Sequence, residues 1–412
     1  MASQRQKMRI AAALVKIEEQ KKRRRSLWTR DWILRRKEKG AFANLVQELI
    51  AEDPPGFQNY CRLSVTECET LLNLIGPQIS KKNTRFRESI SAKERLMVTL
   101  RFLATGDSYR TLMYEFRIAD STLSLLIPEV CKAIAGLRNQ FIKLPATPEE
   151  WKIIADEFNK LWNFPHCIGA LDGKHIVMQA PSNSGSFYFN YKHTHSIVLM
   201  ALVDANYRVI YADVGANGRI SDGGVFRQCS LHEQIESENL NLPRASPLAG
   251  RERNTPFVMV ADDAFALSKT LMKPYPATGA SGAHRIFNYR ISRARRIVEN
   301  FFGHIAQRFR ILRKPLMVGP HSADYIVTAI CVLHNFLRDR NSNICDFDSE
   351  DGETHELRGG SWRSEAAIEN TYFPLQRGQN NSSARTPRQI RDEYKDYFIS
   401  SEGEVPWQYK FI

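Results

Sequence analysis

The sequence predicts an α/β domain with a three-stranded antiparallel start, preceded by a helical domain with a helix-turn-helix-like segment. Two changes of period predict it. From about residue 57 to 145 the apolar residues recur at helical spacing, whereas "CIGALDGKHIVMQ", "HSIVLMALVDANYRVIYADVG" and "PFVMVADDAF" are rich in strand formers. Helical spacing then returns in "SRARRIVENFFGHIAQRFRIL". A hydrophobic content of 43% in 412 residues is enough to bury a core under both parts.

Residues 1–56 read as a basic, partly helical tail: residues 1–40 hold 14 Lys/Arg against 4 Asp/Glu. Its "KKRRR" at 21–25 fits a nuclear-import or phosphate-binding cluster, and equally the solvated face of a basic helix. A helical domain spans 57–162. There "SAKERLMVTLRFLATGD" shows a capping box in Ser91 and Glu94, an apolar stripe at Leu96, Leu100 and Leu103, and Gly106 as the stop. "SYRTLMYEFRIADSTLSLLIPEVCKAI" then predicts a short helix to about Phe116, a turn at 117–120, and a second helix capped by Asp120 or Ser121 and kinked at Pro128. In the DNA-reading version of this motif the first turn of the second helix enters the major groove, and here it presents Ser121, Thr122 and Ser124. Helix hairpins that never touch DNA share the spacing. "TPEEWKIIADEFNKLWNFP" repeats the capping logic with Thr147 and Glu150, above a stripe of Trp151, Ile154 and Phe158.

Strands follow from Cys167. The turn formers Asp204-Ala205-Asn206 split the middle apolar segment into a hairpin, and "SDGGVFRQCSLHEQIE" reads as a helix before the fourth strand. Three strands, then helix, strand and helix, is the order of an RNase H-like α/β domain, placed at 163–340. A last apolar helix runs from Tyr325 to Leu337. Residues 341–412 read as a polar C-terminal tail in which "RGQNNSSARTPRQ" looks like a linker and "EYKDYFISSEGEVPWQY" like a short docking segment.

Charge narrows the partners: 58 Lys/Arg against 45 Asp/Glu gives +13, a balance suited to a polyanion. "CDFDSEDGETHE" at 345–356 is the acidic exception. Seven scattered cysteines without a C-x-x-C pair exclude a disulfide framework and a zinc finger and read as reduced thiols. No apolar run approaches the roughly 18 residues that span a bilayer, and the N-terminus lacks a signal-peptide core, so a soluble intracellular chain with no membrane partner is expected. No G-x-S-x-G elbow or G-K-[ST] phosphate loop is present.

Four acids then stand out. Asp172 sits in an otherwise apolar strand, near its end in this reading; Asp262 ends the fourth strand, Asp222 opens the intervening helix, and Glu299 lies on the helix after it. A buried carboxylate costs several kcal/mol unless a cation or donors compensate. In an RNase H-like sheet the first and fourth strands are neighbours, so Asp172 and Asp262 would converge on a divalent ion. Hard oxygen ligands suit Mg²⁺ or Mn²⁺, and a pair of ions can activate water and stabilise a leaving oxygen at a phosphodiester. Each acid also has a structural reading. Asp222 or Ser221 can be an N-cap, Asp172 can cap a turn, Glu299 can pair with Arg295, and Asp263 rivals Asp262. Basic residues gather nearby: from Ser281 to Lys314 there are nine Lys/Arg and one acid. Arg290, Arg293, Arg295, Arg296, Arg308 and Arg310, with Lys174 beside Asp172, are the expected phosphate contacts. His175, His193 and His195 read as packed or surface histidines.

Through "SYRTLMYEFRIADSTLS", "CIGALDGKHI", "VGANGRISDGGVFRQCSL", "VADDAFAL" and "SRARRIVENFFGHIAQRFRIL", residues 85 to 340 resemble the PIF/Harbinger superfamily of DDE transposases and their domesticated, nuclease-like relatives. The resemblance implies a DDE/retroviral-integrase type of RNase H-like domain. Asp172 matches the family's first acid, Asp222 its glycine-loop aspartate, Asp262 its strand-end aspartate and Glu299 its final acid. All four are then metal ligands, with Asp172, Asp262 and Glu299 catalytic and the second place open between Asp262 and Asp222. Ala261 and Ala264 stand where the family spells glycine.

The implied reaction is divalent-metal-dependent (Mg²⁺ or Mn²⁺) phosphodiester hydrolysis and strand transfer at transposon ends, in the nucleus with a possible cytoplasmic pool. The implied partners are transposon-end and target DNA, a Myb/SANT-like protein, and a second copy in a homodimer or larger assembly. The alternatives are a domesticated nuclease and a catalytically inactive DNA- or chromatin-binding adaptor.

Overall fold

The computed structural model describes residues 29–85, 88–220, 222–340, 349–351, 357–359, 371–374 and 385–412. The "KKRRR" cluster, Ser221 and most of the acidic block and the 377–389 linker lie outside them. After two single-turn helices at Asp31–Leu34 and Arg36–Lys39, the N-terminal helices are α1 (Leu45–Glu52), α2 (Pro54–Cys61), α3 (Val65–Ile79), α4 (Ala92–Thr105), α5 (Tyr109–Phe116), α6 (Asp120–Ala135) and α7 (Pro148–Trp162). The segment expected as a tail thus carries helices from Asp31, and it buries Ile33 and Val46.

Local chemistry accounts for the helix ends. Ser91 Oγ accepts from the Glu94 amide, and Gly106 ends α4 at φ 66°. The Glu94 carboxylate turns to Arg36 at 3.3 Å instead of closing the expected box. Ser64 and Glu67 form a complete capping box on α3. The cap of α6 is Ala119, with Asp120 in its first turn, and α6 continues through Pro128 to Ala135.

The sheet is mixed, in the order β3-β2-β1-β4-β5, from β1 (Cys167–Val177), β2 (Ser196–Val203), β3 (Val209–Asn217), β4 (Val258–Val260) and β5 (Leu271–Met272). β1, β2 and β3 are antiparallel neighbours, whereas β4 runs parallel to β1 and β5 parallel to β4. β2 is buried throughout and β1 everywhere but Lys174, which is why both read as unbroken apolar runs instead of alternating ones. Helices α8 (Asp222–Gln228) and α9 (Ser230–Glu236) precede β4. The long α10 (Gly282–Arg308), ten residues longer at its start than the quoted helical run, packs on β1, β2 and β4; α11 (Pro320–Arg338) packs on β3 and β2 and against α6.

The C-terminal region departs most from expectation. Tyr372–Pro374 form a sixth strand, β6, antiparallel to Lys174–Ile176 of β1 on the side that β4 has left. Helix α12 (Arg385–Phe398) docks on α10, with Phe164, Phe287, Tyr394 and Phe398 packed ring against ring. Apolar period along "YKDYF" drives this docking, so Ile390, Tyr394, Tyr397 and Phe398 join the core.

Candidate active site

Strand geometry fixes the two central acids. The β1–β4 pairing ends at Ala170↔Val260, and two residues further along each chain stand Asp172 and Asp262. Asp172 lies mid-strand, not at the strand end expected from sequence, because β1 continues to Val177 on pairing with β2 and β6. Alternation puts Asp172 and Lys174 on one face, and α10 covers it: the Lys174 ammonium lies 5.7 Å from the Phe302 ring centroid.

Burial pushes the Asp172 carboxyl above the usual aspartate range, against Lys174, Arg295 and the Gly173 amide. Asp262, just past β4, is pushed up to about 6 by burial and then by the Asp172 charge, again countered by Arg295. Its Oδ1 accepts from the Ala264 amide at 3.0 Å, fixing the turn. Asp263 faces solvent, whereas Asp262 is half-buried.

Glu299 is one turn beyond Arg295 on α10. Its carboxylate is 3.5 Å from the Arg295 guanidinium, and it is close enough to Asp172 to raise that group's pKa. Arg295, expected on DNA, is therefore the shared counter-ion of all three acids. The charges opposite the buried Asp172 are Arg295 and Lys174.

Among the described residues no three His, Cys, Asp or Glu side chains come together closely enough to hold a metal ion. Asp222 opens α8 as expected, but its side chain lies outside the described ones. The Asp172–Asp262 pair nonetheless fits a divalent cation in chemistry: one buried and one half-buried hard-oxygen donor whose charged forms are disfavoured as they stand.

The expected DNA contacts divide by burial. Arg290 is 2% exposed; it donates to the carbonyl oxygens of Asn163 and Gly403 and to Gln408 Oε1, and stacks 4.3 Å over Phe398. Arg293 lies against Trp407, and Arg308 is enclosed. These three are corrected from phosphate contacts to internal braces, since an enclosed guanidinium cannot meet a DNA backbone. Arg296 is half-buried, while Arg310, Ser121 and, partly, Thr122 reach the surface. His175 is packed, its Nδ1 2.9 Å from Ser196 Oγ. Sequence reasoning missed Tyr372 of β6. Its hydroxyl is buried near Asp172 without a hydrogen-bond partner among the described residues, and only the three letters "YFP" mark that strand.

The family described as DDE superfamily endonuclease matches residues 171–335, the span from β1 to α11 that holds all four acids. The chain is 27% identical over 269 residues to "Putative nuclease HARBI1" of Homo sapiens, covering 64% of this chain and 72% of that protein. It is 24% identical over 312 residues to "Protein ALP1-like" of Arabidopsis thaliana, covering 74% and 76%. No solved structure matches the chain at a significant level. With β1 and β4 setting Asp172 beside Asp262 inside the matched span, residues 171–335 are similar to the DDE superfamily endonucleases.

Proposed function

We propose that the protein is a transposase-derived, divalent-metal-dependent DNA endonuclease with an RNase H-like catalytic domain. The observation that carries this is the Asp172–Asp262 pair at the point where the parallel β1–β4 ladder ends. The strand order, with β4 and β5 parallel to β1, supports the RNase H-like reading. Asp172 and Asp262 would hold Mg²⁺ or Mn²⁺, with Glu299 and Asp222 as further ligands. Such an ion supplies Lewis acidity at the phosphoryl oxygen and a more acidic attacking water. The chain's own parts do the rest: β1 and β4 fix the two carboxylates, α10 packs over them, and Arg295 orients the Glu299 carboxylate. The surface residues of the α5–α6 segment, Ser121 and Thr122, together with Arg296, Arg310 and Lys174, would meet duplex DNA. Strand transfer, nuclear residence, a Myb/SANT-like partner and a dimer holding two ends belong to the same reading.

The Arg295–Glu299 pair favours one alternative, a DNA-binding adaptor in which arginine permanently occupies the place of a cation. Cleavage decides between them. The full chain incubated with supercoiled and linear duplex DNA in Mg²⁺ or Mn²⁺ should nick it, and EDTA should stop the reaction. Asp172→Ala and Asp262→Ala should each slow cutting at least about a hundredfold, the loss of a few kcal/mol of transition-state stabilisation. Metal-independent cutting, or Asp172→Ala cutting as fast as the wild type, overturns the nuclease.

A further inference from the structure

The connection between β1 and β2 exposes aromatic rings that folding would ordinarily bury. Phe187, Phe189 and Tyr191 are 54%, 38% and 37% exposed, at every second position of "SFYFNYKHTHS". Phe187 sits edge-on to Tyr188, and Phe189 lies against the rings of His193 and His195. A pliable loop would fold such rings inward, because burying one gains about 1.5–3 kcal/mol.

This loop is held from beneath. Asn190, 3% exposed, donates to Thr194 Oγ1 and Ser196 Oγ, and its Oδ1 accepts from the amides of Lys192 and Thr194. Ser196 Oγ in turn meets His175 Nδ1 of β1. Gly218 passes so close that a Cβ there would stand 2.8 Å from Ser196 O and 2.9 Å from Tyr188 O. The rings are therefore presented by a rigid frame, which lowers the ordering cost of binding.

Charge names the occupant. No Asp or Glu occurs from Gly173 to Val203, whereas Lys174 and Lys192 do, and Arg219 reaches the loop through Ser186 Oγ. Because β1 and β4 are parallel, the loop leaves the sheet at the end where Asp262 sits. From Asp172 to Val177 is five residues, roughly 17 Å at the rise of a strand. Exposed aromatic faces interleaved with cations and free of acids suit unpaired bases on a phosphate backbone; a paired duplex offers no base faces to stack on.

We propose that the β1–β2 loop is a stacking platform for unpaired DNA at the same end of the sheet as the acid pair, with Phe187 and Phe189 as the faces on which bases rest. It rests on the endonuclease reading and deepens it. The test is fluorescence anisotropy of a labelled single-stranded oligodeoxynucleotide, titrated with the full chain in EDTA so that nothing is cut, beside a blunt duplex of the same length. The double variant F187A/F189A should bind the single strand at least about tenfold more weakly, given what stacked bases contribute, and the duplex within about threefold. F187Y/F189Y should retain single-strand affinity and F187L/F189L should lose it, since stacking needs the ring and not only the apolar bulk. Because the titration is run in EDTA and reads binding alone, failure of the cutting chemistry and failure of the platform are read separately. Unchanged single-strand affinity in F187A/F189A overturns the platform. So does a wild-type dimer that this variant turns into a monomer with its oligonucleotide affinity intact, which would make the rings a contact between two copies.

Discussion

A buried arginine and a buried aspartate show why residue type alone misassigns roles. Arg290 lies in a basic run and reads as a DNA contact, yet its guanidinium joins the Asn163 and Gly403 carbonyls to Gln408 under the ring of Phe398. Its removal leaves those carbonyls unpaired in the interior. Arg290→Ala is expected to cost about 3–5 kcal/mol of stability, read as an earlier midpoint in urea, with duplex affinity unchanged where folded protein remains. A large loss of duplex affinity at constant stability would return Arg290 to the DNA surface. Arg310→Ala, at an exposed position, should behave the opposite way, weakening DNA binding and reducing its salt dependence by about one unit of slope. Asp172 was legible because a carboxylate in an apolar run demands compensation. Its compensators were not: neither Arg295 nor Lys174 differs in sequence from the arginines that face water, and only the crossing of α10 over β1 separates them.

At the scale of elements, α12 stakes out the clearest expectation. Tyr394 and Phe398 pack on Phe164 at the start of β1, the Tyr394 hydroxyl donates to the Pro256 carbonyl just before β4, and Arg251 pairs with Glu393 at 2.8 Å. Phe398→Ala should therefore destabilise the protein by about 3–5 kcal/mol, and hydrogen exchange should quicken in β4 and α10 as well as in α12. Exchange confined to α12 would show a detachable appendage. Apolar runs made β1 to β4 readable and apolar residues at a period of 3.6 made the long helices readable, since each long element buries one face or both. β6 was not readable: three residues without period inside a polar stretch carry no local signal, and they form a strand only because β1 outruns β4 and leaves an edge to pair. The position of Asp172 was misjudged for the same reason, as the apolar run of β1 does not record where its parallel partner stops.

For the whole molecule, buried titratable groups set a pH dependence with two opposing parts. Burial lowers His334 to about 3 and His175 to about 4, so each is held neutral in the fold. Such a group contributes its stability in full above the ordinary histidine value near 6.5, and the contribution is lost as pH falls from there through the folded value, because the unfolded chain then binds more protons. Burial raises Asp204 to about 6, as it does Asp262, so the carboxylate is disfavoured in the fold. That contribution has the other sign: stability is full below the unfolded aspartate value near 3.9 and is lost as pH rises through about 6. Between about 4 and 6 the two largely cancel, and stability should change little there. Asp204→Asn uncovers the histidine part. Asp204 Oδ1 accepts from the Asn206 and Arg208 amides at the β2–β3 turn, and an amide oxygen can accept both. The variant should therefore be more stable than the wild type at pH 8, by on the order of 2–3 kcal/mol for a shift of about two units. Its advantage should vanish near pH 4, leaving a steeper loss on acidification. Urea denaturation of both proteins at pH 4, 6 and 8 measures this directly. An Asp204→Asn protein less stable than the wild type at pH 8 would mean that the two amide bonds hold the carboxylate more strongly than burial disfavours it.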